Sequence, residues 1–80
     1  MYYHVKEAEY LYDFTVRVTF ETGELFDLDL KPFLKGDLFR SLNDVRVFSS
    51  VFVDPELQIL TWPNDANIPA ETLYAYAKSN

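Results

Sequence analysis

The clearest pattern in the chain is an alternation of apolar and polar residues in its first third. Between Phe14 and Phe20 every second residue is apolar, and the alternation resumes after Gly23 and continues to Leu30. A period of two is typical of a strand with one buried face. Gly23 can adopt the positive φ that a tight turn requires. The pattern predicts an antiparallel hairpin, with an earlier strand around His4 to Tyr10. The residues predicted to face the core are Phe14, Val16, Val18, Phe20, Phe26, Leu28 and Leu30.

The middle of the chain carries turn and helix residues. Pro32 suits a first helical position and Gly36 a helix C-cap, after which Asp37 can cap a short middle helix. For the segment from Val45 to Ser50 two structures stay open. Asp44 can cap another helical turn, or the backbone can already be extended.

The last thirty residues predict a second hairpin followed by a helix. The apolar stretch 51–53 reads as a strand, Asp54 and Pro55 are typical of a type I turn, and 58–62 reads as the partner strand. Pro69 suits the start of a terminal helix. The apolar stripe of that helix consists of Leu73, Tyr76 and Ala77.

These elements predict an α+β fold, in which antiparallel β-hairpins form a small sheet with a short middle helix and a C-terminal helix packed on it. We expect residues 1–80 to form a single domain, because a chain of 80 residues supports one core. A hydrophobic fraction of 49% and an aromatic fraction of 18% provide the side chains for that core.

Composition also narrows the classes of function. The chain has no Cys, and neither a signal peptide nor a membrane-spanning segment is recognisable, so we expect a soluble cytoplasmic protein. A net charge of −6 argues against direct binding to nucleic acid, since that binding depends on Lys and Arg contacts with phosphates.

Residues suited to catalysis or metal binding are few. His4 is the only histidine, and Gly23 and Gly36 are too far apart for a phosphate-binding loop. Asp27 and Asp29 project from one strand face, where they can gather carboxylates for a cation or simply form the solvated face of the sheet. We predict no catalytic residue, cofactor or metal ligand.

Tyrosines and a basic stretch indicate a protein-interaction surface. Residues 31–50 carry a net charge of +2 in an otherwise acidic chain, which favours docking of an acidic partner or only solvates a helix. The tyrosines exceed what one small core can hold, so some line the rim of the core or an interface. The candidate interaction residues are Tyr10, Tyr12, Lys35, Arg40, Arg46 and Tyr74.

Two apolar features predict further packing. Residues 47–53 combine high β-propensity with no charge and no Pro, so they must be covered within the monomer or by a homodimer. Trp62 is expected to be buried between the second hairpin and the terminal helix.

Several motifs together resemble a known family. They are an E-x-G-E turn at 21–24, Leu-Lys-Pro-Phe-Leu at 30–34, V-D-P-E-L at 53–57, W-P-N at 62–64 and P-x-x-x-L-Y at the start of the last helix. From about Val5 to Lys78 the chain resembles the small bacterial family called domain of unknown function 2442. That family usually has Gly where this chain has Gln58 and Asp65, and Gly there suggests left-handed backbone.

The resemblance implies an α+β fold and a bacterial source, but no established activity or catalytic residues. It also implies an association with small two-protein pairs of the toxin and antitoxin type. Some members carry a helix-turn-helix domain, which this sequence lacks. Our leading hypothesis is a non-catalytic module that binds a protein partner or a second copy of itself. The alternative is a small-ligand-binding protein or an enzyme of unknown reaction.

Overall fold

The first three strands form an antiparallel meander. The computed structural model describes residues 3–79, apart from the side chain of Leu38. It contains β1 (Val5–Tyr12), β2 (Thr15–Phe20) and β3 (Leu25–Asp29) in the order β1-β2-β3. Gly23 lies in the β2–β3 turn with a φ of +91°. The predicted hairpin and the earlier strand are confirmed. The β2 residues that face the core, all fully buried, are Val16, Val18 and Phe20.

Short helical turns connect the meander to the second half of the chain. They are a 3-10 turn at Lys31–Phe33, α1 at Asp37–Arg40, a 3-10 turn at Ser41–Asn43 and α2 at Val45–Phe48. The predicted middle helix is thus divided into single turns.

The caps of these turns settle one open question and correct two predictions. The Asp44 carboxylate accepts a hydrogen bond of 2.9 Å from the Arg46 backbone N–H, which makes Asp44 the N-cap of α2. The helical alternative therefore holds for the first four residues of 45–50. Asp37 is not a cap, because Gly36 occupies the N-cap position of α1 with a φ of +86°. The prediction of Gly36 as a C-cap is also wrong, since Leu34 is the C-cap of the preceding 3-10 turn.

The second half forms a small antiparallel sheet of its own. It contains β4 (Phe52–Val53), β5 (Leu60–Thr61) and β6 (Asn67–Ile68) in the order β4-β5-β6. The Asp54 carboxylate accepts hydrogen bonds from two backbone N–H groups of the β4–β5 turn, at 2.8 and 2.9 Å. The hairpin is as predicted but its second strand is shorter, since Gln58 takes a left-handed φ of +55°. The sequence pattern did not predict β6.

A terminal helix and one buried tryptophan complete the core. Helix α3 (Ala70–Ser79) buries Leu73 and Ala77 of its predicted stripe. Trp62 is fully buried, which confirms its predicted burial, although the ring contacts of its indole are to the connecting turns and not to the terminal helix as expected. Its indole packs against Phe39 and Phe48 of the connecting turns, with ring centroids 6.3 and 5.6 Å away.

The second hairpin lies against the first sheet on the side of β1. The Val5 backbone N–H donates a hydrogen bond of 2.8 Å to the Gln58 carbonyl, and β1 contacts β4 along this side. None of the helices described in residues 3–79 has the length and apolar character that crossing a bilayer requires.

Candidate interaction surface

The first sheet has one face on which the described side chains are exposed or half-buried. Residues paired across antiparallel strands project on the same side of a sheet, so the register places three rows of side chains together. We call this surface the outer face, and every one of its members is exposed or half-buried. The three rows are Glu7–Thr19–Leu25, Glu9–Arg17–Asp27 and Tyr12–Thr15–Asp29.

The outer face carries an excess of negative charge. Arg17 is its one cation, and its guanidinium donates two hydrogen bonds to the Asp27 carboxylate, at 2.8 and 3.1 Å. These bonds hold the pKa of Asp27 below its ordinary value. Glu9 lies opposite Arg17 in the β1–β2 register, and Lys31 borders the face beside Asp29. The four carboxylates of the face still outnumber these two cations, so its potential is negative.

Two large apolar side chains are exposed at opposite ends of the outer face. Tyr12 is 62% exposed in the last row, and Leu25 is 55% exposed in the first. Aromatic residues such as Tyr are enriched in protein interfaces relative to the rest of a protein surface. Tyr12 is therefore well placed for contact with a partner.

The outer face continues into a free edge on β3. The Phe20 N–H binds the Glu24 carbonyl and the Leu30 N–H binds the Phe14 carbonyl, both at 2.9 Å. Because hydrogen-bonded and non-hydrogen-bonded pairs alternate in an antiparallel ladder, the N–H and C=O groups of alternate β3 residues point away from β2. The outward-pointing residues are Leu25, Asp27 and Asp29.

Only part of this edge is occupied. The Tyr76 hydroxyl donates a hydrogen bond of 2.6 Å to the Asp29 carbonyl. Within residues 3–79, the outward backbone groups of Leu25 and Asp27 have no hydrogen-bond partner. The opposite side of the sheet differs, since the second hairpin lies against β1 there.

Tyr74, a predicted interaction residue, is engaged within the chain. Its hydroxyl donates a 2.5 Å hydrogen bond to the Glu24 carboxylate, which also accepts one of 3.1 Å from Lys78 Nζ. Its ring stacks on Tyr3 with centroids 4.1 Å apart. The hydrogen bond to Glu24 raises the pKa of Tyr74 to about 12. The pKa of Glu24 is lowered, mainly by this hydrogen bond from Tyr74 and next by the one from Lys78.

The other predicted interaction residues are dispersed. Tyr10 lies on the core side of β1 with its ring edge toward Phe48, centroids 6.1 Å apart. Arg46 pairs with its own cap residue at 3.1 Å. Lys35 and Arg40 are exposed on the connecting turns. Of the six candidates, Tyr12 alone belongs to the outer face.

The structure does not gather the carboxylates into a cation site. Asp27 and Asp29 share a strand face as predicted, but Asp27 is bound to Arg17 and Glu24 to Tyr74. Among the residues described, no group of three or more His, Asp or Glu side chains is arranged to hold a metal ion.

A cleft of about 580 Å³ lies elsewhere, between the start of β1, the β4–β5 turn and the start of α3. Leu57, Ile59 and Ala70 give it an apolar lining, and Glu56 and Glu71 add carboxylates. Leu57 is 63% exposed there, about as exposed as Tyr12 on the outer face.

Comparison with known proteins identifies the family. The family described as a protein of unknown function, DUF2442, matches residues 5–79, nearly the whole chain. No curated protein and no solved structure is significantly similar to this chain. At the two positions where the family usually has Gly, the backbone is left-handed, with a φ of +55° at Gln58 and +71° at Asp65. The resemblance seen in the sequence is confirmed, and the chain belongs to the DUF2442 family.

Proposed function

We propose that this chain is a non-catalytic protein-interaction module that binds a protein partner through the outer face of its first sheet. The observation that carries the proposal is the exposure of this face, with Tyr12 and Leu25 uncovered at its two ends. Aromatic side chains such as that of Tyr12 are enriched in surfaces that bind other proteins, where polar side chains form the rim of the interface.

The charge of the face indicates the kind of partner. Glu7, Glu9 and Asp29 outnumber the cations of this face, and complementary potentials steer association and fix orientation. The partner is therefore a protein with a basic surface. This revises the acidic partner suggested by the basic middle segment, whose residues lie on the connecting turns. Such a partner is compatible with the prediction that this chain is one member of a two-protein pair of the toxin–antitoxin type, which stays a prediction.

Quantitative affinity capture from a lysate of the native host tests the proposal. The baits are the wild-type chain, the double variant Tyr12→Ser with Leu25→Ser, and Leu57→Ser. Leu57 is a matched control because its exposure of 63% is close to the 62% of Tyr12, and it lies on another surface. Circular dichroism melts establish that all three baits are folded.

We expect a stoichiometric partner to be retained by the wild type and by Leu57→Ser and lost from the double variant. A partner captured equally by all three baits contradicts a role for the outer face. Loss from Leu57→Ser alone moves the interface to the cleft beside α3.

A further inference from the structure

The free edge of β3 offers backbone hydrogen bonds beside the side chains of the outer face. Leu25 and Asp27 each present an outward N–H and an outward C=O, and within residues 3–79 none of these groups has a partner. Such an edge is a template for one more strand. An extended peptide that joins a sheet edge gains affinity from these groups and specificity from its alternate side chains.

The two ends of this edge are already in use. At one end Tyr76 donates to the Asp29 carbonyl, and at the other the Tyr74 hydroxyl and Lys78 hold the Glu24 side chain. Between these ends Leu25 and Asp27 are exposed, and they are the positions with which a short added strand would pair. Both tyrosines come from α3, so the helix limits the length and register of the added strand.

The side chains beside the open stretch define what the added strand must carry. A residue opposite Asp27 or Asp29 projects on the outer face and meets a carboxylate, whereas a residue opposite Leu25 meets an exposed apolar side chain. β2 already shows the pattern, because its Arg17 binds Asp27 while Val16 and Val18 face the core. Opposite charges across neighbouring strands stabilise a sheet.

A second copy of this chain fits the same edge poorly. Antiparallel pairing of two β3 strands about Asp27 would place the two Asp27 carboxylates opposite each other, and like charges in that position are destabilising. The acidic residues thus protect the edge from self-pairing but leave it open to a basic strand.

We propose that the free edge of β3 binds an extended segment of the partner as a fourth antiparallel strand, with Lys or Arg at alternate positions on the outer face. This inference rests on the proposed function and names the structural mode and the partner chemistry. In this arrangement the strand exchanges hydrogen bonds with Leu25 and Asp27, and its basic side chains lie beside Asp27 and Asp29.

A defined peptide tests the inference without knowledge of the natural partner. The probe is a fluorescein-labelled peptide Lys-Val-Arg-Val-Ile-Thr, whose first, third and fifth side chains would meet Asp29, Asp27 and Leu25. The control peptide has Glu in place of Lys and Arg. Binding to the full chain is measured by fluorescence anisotropy at low and high salt. We expect the basic peptide to bind at least about tenfold more tightly than the acidic one, with weakening by salt.

A proline variant separates strand addition from simple charge attraction. The Leu25 N–H points away from β2, so Leu25→Pro removes an outward donor without removing a bond of the β2–β3 ladder. We expect it to weaken peptide binding about tenfold, through the lost donor and the bulk of the ring at the edge. Leu25→Ser keeps the backbone donor and should weaken binding by less than about threefold. Equal weakening by both variants contradicts strand addition.

N-methylated peptides give a second measurement that needs no change in the protein, in case Leu25→Pro fails to fold. Methylation of the third or fifth amide should abolish binding, because those N–H groups face β3. Methylation of the second or fourth amide should leave it nearly unchanged, since those groups face away. Equal sensitivity at all four positions overturns the proposal.

The two proposals fail in different ways. A native partner that needs Tyr12 but binds Leu25→Pro as well as the wild type would support the outer face and exclude strand addition. The opposite result is that the basic peptide binds with the alternating sensitivity to N-methylation, but no native partner depends on the outer face. That result would support strand addition at the β3 edge and refute the outer face as the partner-binding surface.

Discussion

Trp62 combines complete burial with a specific hydrogen bond in one side chain. Its Nε1–H donates to the Phe48 carbonyl at 2.9 Å. We expect Trp62→Ala to lower the free energy of unfolding by about 3 to 5 kcal/mol, because it leaves a cavity. Trp62→Phe keeps an aromatic ring but removes the indole N–H, so the Phe48 carbonyl retains only its 3.2 Å hydrogen bond from the Val51 N–H, and we expect a loss of about 0.5 to 1.5 kcal/mol. Urea denaturation measures both. Three proteins of equal stability would show that the indole is not part of the core.

The Glu24–Tyr74 pair makes stability depend on pH in a direction that the structure fixes. The pKa of Glu24 is lowered, so its contribution is present above the ordinary value of 4.5 and is lost as the pH falls through the lowered pKa. The pKa of Tyr74 is raised to about 12, so its contribution is complete below 10.0 and is lost as the pH rises through about 12.

Titration of the tyrosine rings by carbon-13 NMR checks this pair. In the wild type we expect Tyr74 to ionise near 12, and in Glu24→Gln its pKa should fall toward 10.0, because the carboxylate that opposes the phenolate is gone. Glu56→Gln removes a carboxylate from the β4–β5 turn and should leave Tyr74 unchanged. Ionisation of Tyr74 at the same pH in all three proteins would contradict the hydrogen bond.

The turn between β4 and β5 contains a strained residue. A φ of +55° at Gln58 is unfavourable for a residue with a Cβ and easy for Gly. We expect Gln58→Gly to raise the free energy of unfolding by about 0.5 to 1 kcal/mol, while Gln58→Ala, which keeps a Cβ, should not stabilise. Thermal melts of the two variants decide between strain relief and loss of the long 3.5 Å contact to Glu21.

The elements that the sequence predicted correctly are those with local causes. The period of two at Val16, Val18 and Phe20 needs only neighbouring residues to be recognised. The segment 45–50 stayed open because its β-branched residues favour a strand while Asp44 favours a helix start, and the cap prevailed. The strand β6 has only two residues, Asn67–Ile68, which is too short for any period.

The outer face was harder to predict because it depends on register between strands. The Arg17–Asp27 pair could have been predicted from the sequence. Both residues lie five positions from Thr22 in the hairpin turn, so the hairpin places them opposite each other. Glu9 joins them only through the β1–β2 ladder, whose register shifts twice. Tyr12 was predicted as an interaction residue because the chain has more tyrosines than one small core can hold. Lys35 and Arg40 were chosen by sequence charge, which says nothing about which surface a turn faces.

At the scale of the whole molecule, the apolar segment 47–53 is covered only in part. Phe48 is buried and Val51 half-buried, but Val47 and Phe52 are 36% and 41% exposed. We predict that a homodimer covers Phe52. Sedimentation equilibrium should then show a mass that rises with concentration, and Phe52→Lys should return the monomer mass with the fold intact. A constant monomer mass for the wild type would contradict the dimer, whereas unfolding of Phe52→Lys would place Phe52 in the monomer core.

The order of the elements along the chain has a consequence for folding. The strands of the first sheet are neighbours in sequence, but α3 joins them from far away, since Tyr74 and Tyr76 bond to residues 50 and 47 positions earlier. Contacts between distant positions bear a larger loop-closure cost, so we expect the meander to form early and α3 to dock late. On the ribosome, β1 to β3 emerge first. We therefore expect the outer face to form before α3 docks, at a stage when a partner can already engage it.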